Sequence, residues 1–280
     1  MTENITWQLS GFGDEIDPDP NVQIAVLQAL GANHIEVRSA WNRNIVDLTT
    51  SELDELSQVC ADRGISVSAI ASPIGKVDIT SDDGAELDRL KRAITAAHRL
   101  AAPYIRIFSF YRAPTVAVAA IRDDVLRRLA AFAKLAEAND VVLVHENEKD
   151  IYGDVPARVA DIIESVGSDA LQVAWDNANF VQVGVRPFTD GYRLLRPYLK
   201  YLQVKDALMT TGEVVAAGDG DGELRETVNA LRDDGYSGFA SLEPHLAIQH
   251  GLGGFSGPAA FGRAAHAFAR LTSSIGVQLA

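Results

Sequence analysis

A single cysteine, Cys60, occurs in 280 residues, so no disulfide can form within the chain. It sits in the helix-like stretch SELDELSQVCADRG, where it can face a core, and this usage suits a reducing cytoplasm. No uninterrupted apolar run approaches membrane-spanning length. The start, MTENITWQLSGFGDE, is acidic and polar where a signal peptide needs a basic stretch followed by an apolar one. A cytoplasmic protein without a membrane partner is therefore expected. Basic residues are also in short supply: 25 Lys and Arg stand against 38 Asp and Glu, for a net charge of -13. Such a surface repels phosphate backbones and anionic lipid, which argues against a nucleic-acid partner. Nucleotide-loop signatures are missing as well, with no GxGxxG after the first strand-like run and no GxxxxGK[ST] anywhere.

What the chain does have is an ordinary globular composition, 47% hydrophobic and 22% charged, and a regular alternation of element types. Eight short β-rich runs stand out: TWQLSGF, HIEVRS, ISVSAIAS, YIRIFSF, VVLVHE, LQVAWD, YLQVKD and FASLEP. Seven amphipathic segments lie between them: NVQIAVLQALGA, SELDELSQVCADRG, AELDRLKRAITAAHRLAA, VLRRLAAFAKLAEAND, VPARVADIIESVG, GYRLLRPYLK and LRETVNALRDDG. Gly31, Gly64, Gly167 and Gly235 fall just after helical segments, where a left-handed cap is wanted. Strand–helix alternation requires right-handed crossovers and a parallel sheet, and eight strands favour closing that sheet. A (β/α)8 unit takes roughly 250 residues, so residues 1–280 are expected to form one TIM-barrel domain with no internal boundary.

In such a barrel the C-terminal ends of the strands open onto one face, where residues distant in sequence converge. Glu146 in VVLVHENEKD, Asp176 in LQVAWDNAN and Glu243 in FASLEPHL each end an apolar run, and Gln203 ends another in KYLQVKDA. Three carboxylates and an amide oxygen gathered in a pocket repel one another unless a cation lies between them. Their hard oxygen donors suit Mn2+ or Mg2+ better than Zn2+. GDGDGEL lacks the spacing of a calcium loop and reads instead as a turn, with Asp221 near the start of a helix.

GANHIEVR, YIRIF, the Glu146 strand, WDNAN, YLQVKDA with GDGDGEL, and SLEPHL together resemble the sugar phosphate isomerase/epimerase superfamily, whose barrel is xylose isomerase-like. The resemblance spans nearly the whole chain. The superfamily includes ketose 3-epimerases, inosose dehydratases and metal-dependent abasic-site endonucleases. In its epimerases, Glu, Asp, His and Glu bind the metal, and the two glutamates exchange protons with substrate. The resemblance places the glutamates at Glu146 and Glu243 and the aspartate at Asp176. Two positions depart from it: Gln203 stands where the strand-7 histidine is common, and Asn179 stands where a histidine often follows the aspartate.

The expected activity is therefore a metal-dependent isomerase or epimerase acting on a keto sugar through an enediolate. Glu146 and Glu243 are the acid/base pair, and Arg106, Asn179, Lys205 and His245 are candidate substrate contacts. A lyase of the same fold is the alternative, by β-elimination from the same intermediate. An abasic-site nuclease needs a zinc cluster rich in histidine and a basic groove, which six scattered histidines and a charge of -13 do not offer. A barrel that binds sugar without turnover is a third reading. Other polar residues have plain structural readings: Lys205 paired with Asp206, Arg106 paired with Glu36, and His145 facing the helix layer. His250, after Glu243, is a further hydrogen-bonding candidate, and the sequence leaves homo-oligomerisation open.

Overall fold

The computed structural model describes residues 5–247 and 254–280. Eight parallel strands form the barrel wall: β1 (Ile5–Gly11), β2 (His34–Val37), β3 (Ser66–Ala71), β4 (Tyr104–Ile107), β5 (Val142–Glu146), β6 (Leu171–Asp176), β7 (Leu199–Val204) and β8 (Phe239–Leu242). Pairing runs continuously from β2 through β3 to β8 and on to β1. The wall closes between β1 and β2 at a single bridge, Phe12 to Glu36. A ninth strand, β9 (Val277–Leu279), pairs with the N-terminal half of β1, where Leu9 N–H donates to the Ala280 carbonyl at 2.8 Å. This last strand is absent from the sequence-based reading.

Helices α1 (Pro20–Ala29), α2 (Thr50–Arg63), α3 (Asp83–Leu100), α4 (Arg122–Glu137), α5 (Pro156–Val166), α6 (Asn177–Val181), α7 (Leu224–Asp233) and α8 (Gly257–Ser273) follow the strands in turn. Their limits have local causes. The α2 helix begins with a capping box between Thr49 and Glu52 and ends at Gly64, whose φ of 64° takes the left-handed cap. The expected helix over 191–200 is instead a series of short helical turns over 187–198, because Pro187 and Pro197 each remove a backbone donor. The following strand accordingly starts at Leu199 instead of Tyr201, which leaves Lys205 just beyond its end.

Alternation along the strands sends one set of side chains to the helix layer and the other to the lumen. Leu143, Leu171, Val173, Leu202 and Ala240 join the large apolar cluster outside the wall. Inside, the N-terminal end of the barrel is filled by Tyr104, Tyr201 and Phe239, with ring centroids 5.6–6.1 Å apart, and by His34 edge-on to Phe239 at 4.9 Å. Above this aromatic plug the lumen becomes polar. Ser10, Ser68 and Tyr201 share hydrogen bonds of 2.6 and 2.8 Å, and Tyr201 donates to Glu36 at 2.9 Å.

Candidate functional site

The C-terminal end of the barrel brings the strand-end carboxylates together. Oxygens of Glu146, Asp176 and Glu243 lie within 4.8 Å of one another, and all three residues are buried. Backbone chemistry fixes each one. Asp176 caps α6, its Oδ1 accepting the Asn179 N–H at 2.8 Å, which turns the other oxygen towards the lumen. Asn147 ties β5 to β6 by donating to the Asp176 carbonyl and accepting the Asp176 N–H, at 2.9 and 3.0 Å. Glu243 extends the β8 ladder, its N–H donating to the Val204 carbonyl.

Cations from other strands answer these anions. Lys205 Nζ lies 2.8 Å from both Asp176 Oδ2 and Glu243 Oε2. Its partners therefore stand at the ends of the two strands that flank β7; the neighbouring Asp206 is engaged elsewhere, accepting backbone N–H groups from Ala207, Gly218, Gly220 and Gly222. Arg106 donates to Glu146 Oε2 at 2.8 Å and to Glu243 Oε1 at 3.5 Å, so its hydrogen-bonded partners are these catalytic candidates and not Glu36. Arg38 approaches Glu243 Oε1 at 3.6 Å and holds Asp14 at 2.8 Å. The rings of Phe12 and Phe108 lie against the Arg106 guanidinium, with centroids 5.0 and 4.9 Å away.

Burial and these neighbours divide the carboxylates. Burial raises Glu146 above the usual carboxylate range despite Arg106. It pushes Asp176 up to about 7 against the pull of Lys205. Burial acts the same way on Glu243, but Lys205, His245 and Arg106 together hold that carboxyl well below its usual range. Burial favours the neutral amine of Lys205, yet Asp176, Glu243 and Glu146 keep it protonated, far above its ordinary value.

The charged floor opens into a cavity of about 480 Å3 lined in part by Arg38, Lys76, Arg106, Glu146, Lys205 and Glu243. Asn179 lies in its wall, donating to Glu146 Oε1 at 3.0 Å, and His245 stands at its edge. Asp176 and Gln203 lie beneath. The Gln203 amide donates to Glu36 at 3.1 Å, while its Oε1 is buried without a hydrogen-bond partner among the described residues. Loop geometry builds the opposite wall: Gly75, at φ 83°, passes so close to Phe108 that a Cβ would lie 2.2 Å from the Phe108 carbonyl oxygen. Lys76 then projects over the Phe108 ring and pairs with Glu148 at 3.0 Å.

The expected site residues therefore share one end of the barrel. Sequence reasoning missed Glu15, Arg38 and Lys76. Glu15 and Arg38 follow β1 and β2 closely, so the strand-end reasoning applied to Glu146 reaches them as well. Asp221 does not cap α7; Glu223 stands at that cap, and Asp221 accepts the Met209 N–H at 2.7 Å. Trp7 is core, packed edge-on against Tyr236. His145 is buried in the helix layer beside Ile162 and Gly153. His250 lies outside the described residues.

The xylose isomerase-like TIM barrel family model matches residues 24–264. The chain belongs to that family. A curated relative, the 2-epi-5-epi-valiolone 7-phosphate 2-epimerase of Actinoplanes sp., is 28% identical over 218 residues, which cover 77% of this chain and 78% of the relative. Among solved structures, the D-psicose 3-epimerase of Clostridium cellulolyticum superposes with a TM-score of 0.73 at 14% identity, covering 96% of this chain and 99% of that one. A xylose isomerase-like TIM barrel protein of Mycobacterium smegmatis in complex with magnesium superposes with a TM-score of 0.68 at 19% identity, covering 97% and 98%. At those identities the structural matches establish the fold. The curated relative supports an enzyme of the epimerase, isomerase or a related type.

Proposed function

We propose that the protein is an epimerase acting on the carbon beside a ketone in a sugar or cyclitol, with Glu146 and Glu243 as the two proton carriers. The observation that carries this reading is that Arg106 NH1 touches both carboxylates, at 2.8 and 3.5 Å, so they flank one small space at the cavity floor. Epimerisation needs a base on one side of the substrate carbon and an acid on the other. Glu243, surrounded by Lys205, Arg38, Arg106 and His245, is the ionised base. Glu146, buried to the same degree but less compensated by cations, is the acid that returns a proton to the opposite face.

The donor set fits a hard divalent cation, Mn2+ or Mg2+ in preference. Glu146, Asp176 and Glu243 offer oxygens within 4.8 Å of one another, and Gln203 Oε1 is buried without a hydrogen-bond partner among the described residues. When bound, the ion supplies Lewis acidity to a substrate carbonyl and adjacent hydroxyl. Lys205 competes for two of the same carboxylates, so binding an ion weakens those pairs. Arg106, Asn179 and Lys205 orient substrate oxygens, and His245 closes the edge of the cavity. The relative acts on a phosphorylated cyclitol ketone by its name, which makes keto-cyclitols and their phosphates the first substrates to screen alongside keto sugars.

The test is NMR of such a panel with Mn2+- or Mg2+-loaded protein. A new epimer is expected. A dehydrated product would move the assignment to a lyase. No product and no solvent exchange from any keto sugar or keto-cyclitol would overturn the reading.

A further inference from the structure

Beside the carboxylate trio lies a second convergence of donors, built from different elements. We infer that Glu15, Glu243 and His245 form a separate site for a divalent transition metal, adjacent to the first position and sharing Glu243 with it. Donor atoms of these three residues lie within 4.8 Å of one another. His245 Nε2 is 3.1 Å from Glu15 Oε1 and 3.4 Å from Glu243 Oε1. Those are ion-pair distances, and beyond these contacts neither Glu15 Oε1 nor His245 Nε2 has a partner among the described residues, while Glu15 is fully buried. An imidazole nitrogen and a carboxylate oxygen that meet only within this group are arranged like two ligands that face a common point, an ion taking the place of the imidazole proton. Their separation is also what two atoms about 2.1 Å from one ion would show.

The surroundings hold this arrangement in place. Glu15 Oε2 accepts the His245 N–H at 2.9 Å and the Ser256 hydroxyl at 2.8 Å, which leaves Oε1 facing the ring. His245 takes a φ of 44°, a left-handed conformation uncommon outside glycine. Gly254 packs against the imidazole so tightly that a Cβ there would lie 2.1 Å from Nε2. Glu243 directs Oε2 to Lys205 and Oε1 towards His245, so one carboxylate serves both positions. Arg38 and Arg106 near Oε1, at 3.6 and 3.5 Å, soften its charge without removing it.

One nitrogen with carboxylate oxygens suits Zn2+ or Co2+, whereas the oxygen-only trio suits Mg2+ or Mn2+. The site does not depend on the epimerase reading, because its test needs no substrate.

Co2+ titration of the whole protein, followed by visible absorption and paramagnetic proton NMR, tests it. Wild type should show a shifted, exchangeable imidazole N–H signal. His245→Gln and the isosteric Glu15→Gln should each abolish that signal and weaken Co2+ binding at least tenfold, with thermal melts checking that each variant folds. Gly254→Ala, which displaces the ring, should also lose the signal. Asp176→Asn should retain it while losing Mg2+ affinity, and unchanged Mg2+ affinity would count against the first site alone. Absence of the imidazole signal in wild type, or its persistence in His245→Gln, would overturn the second site.

Discussion

The two ends of the barrel are built from the same eight strands and filled by opposite chemistry. At the N-terminal end Tyr104, Tyr201, Phe239 and His34 pack ring against ring, three pairs edge to face and Tyr201–Phe239 tilted, and close the lumen. At the C-terminal end, one or two turns of the pleat higher, the same strands present Arg106, Lys205 and Glu243 in place of rings. A packed aromatic plug gains stability wherever its area leaves water. A buried cluster of charges gains little, because desolvation offsets much of the attraction between its members. The lower end holds the wall together so that the upper end can keep charges apart from water and close to one another.

The largest expected break in this contrast is Lys205→Met. It leaves Asp176 and Glu243 buried without their shared ammonium, and removing one partner of a buried ion pair costs about 3–5 kcal/mol. A divalent cation should restore part of that loss. Melting temperature is therefore expected to rise more with Mg2+ or Mn2+ in the variant than in wild type, and an equal rise in both would show that ion and lysine do not share the carboxylates. At the other end Phe239→Ala, in a half-buried ring contacting three others, should cost about 2–4 kcal/mol by denaturant unfolding. Its response to metal should match wild type, since nothing at the upper end has changed.

The sequence disclosed those two ends unequally. Strand positions and the ends of strands are local patterns, so the wall and the carboxylates at 146, 176 and 243 could be read from apolar runs and the polar residue that stops each one. Pairing is not local. Lys205 sits beside Asp206 in sequence, but in the fold Asp206 is occupied by a glycine-rich loop and the lysine pairs with Asp176 and Glu243 at the ends of the two neighbouring strands. The short β9 strand escaped notice because three residues show no periodicity, and α8 because Gly257, Pro258 and Gly262 interrupt its pattern. Glu15 and Arg38 carry a weaker signal: Glu15 stands beyond the glycine-containing turn GFG at the end of β1, and Arg38 follows a run already broken by Glu36.

A smaller effect lies far from both ends. Burial pushes the Cys60 thiol up to about 11 from an ordinary value of 9.0. Between those values the unfolded chain loses the proton while the folded chain keeps it. Stability from this group is therefore complete below pH 9 and declines as pH rises through 11, by at most about 2–3 kcal/mol. Cys60→Ala should flatten that decline in melts taken across the alkaline range, and an unchanged slope would assign it to other groups.

The central claim is that the upper end moves protons with two carboxylates of unequal ionisation. Deuterium exchange at the substrate carbon in D2O reads it directly, once the substrate panel has yielded a turned-over ketone. Glu243→Gln should reduce exchange at least 1000-fold because an amide accepts no proton, a loss of about 4 kcal/mol in barrier terms. Glu146→Gln should instead retain wash-out of the original proton while losing the epimer. Wild-type exchange in Glu243→Gln, or equal loss of exchange and epimer in Glu146→Gln, would contradict the division of roles.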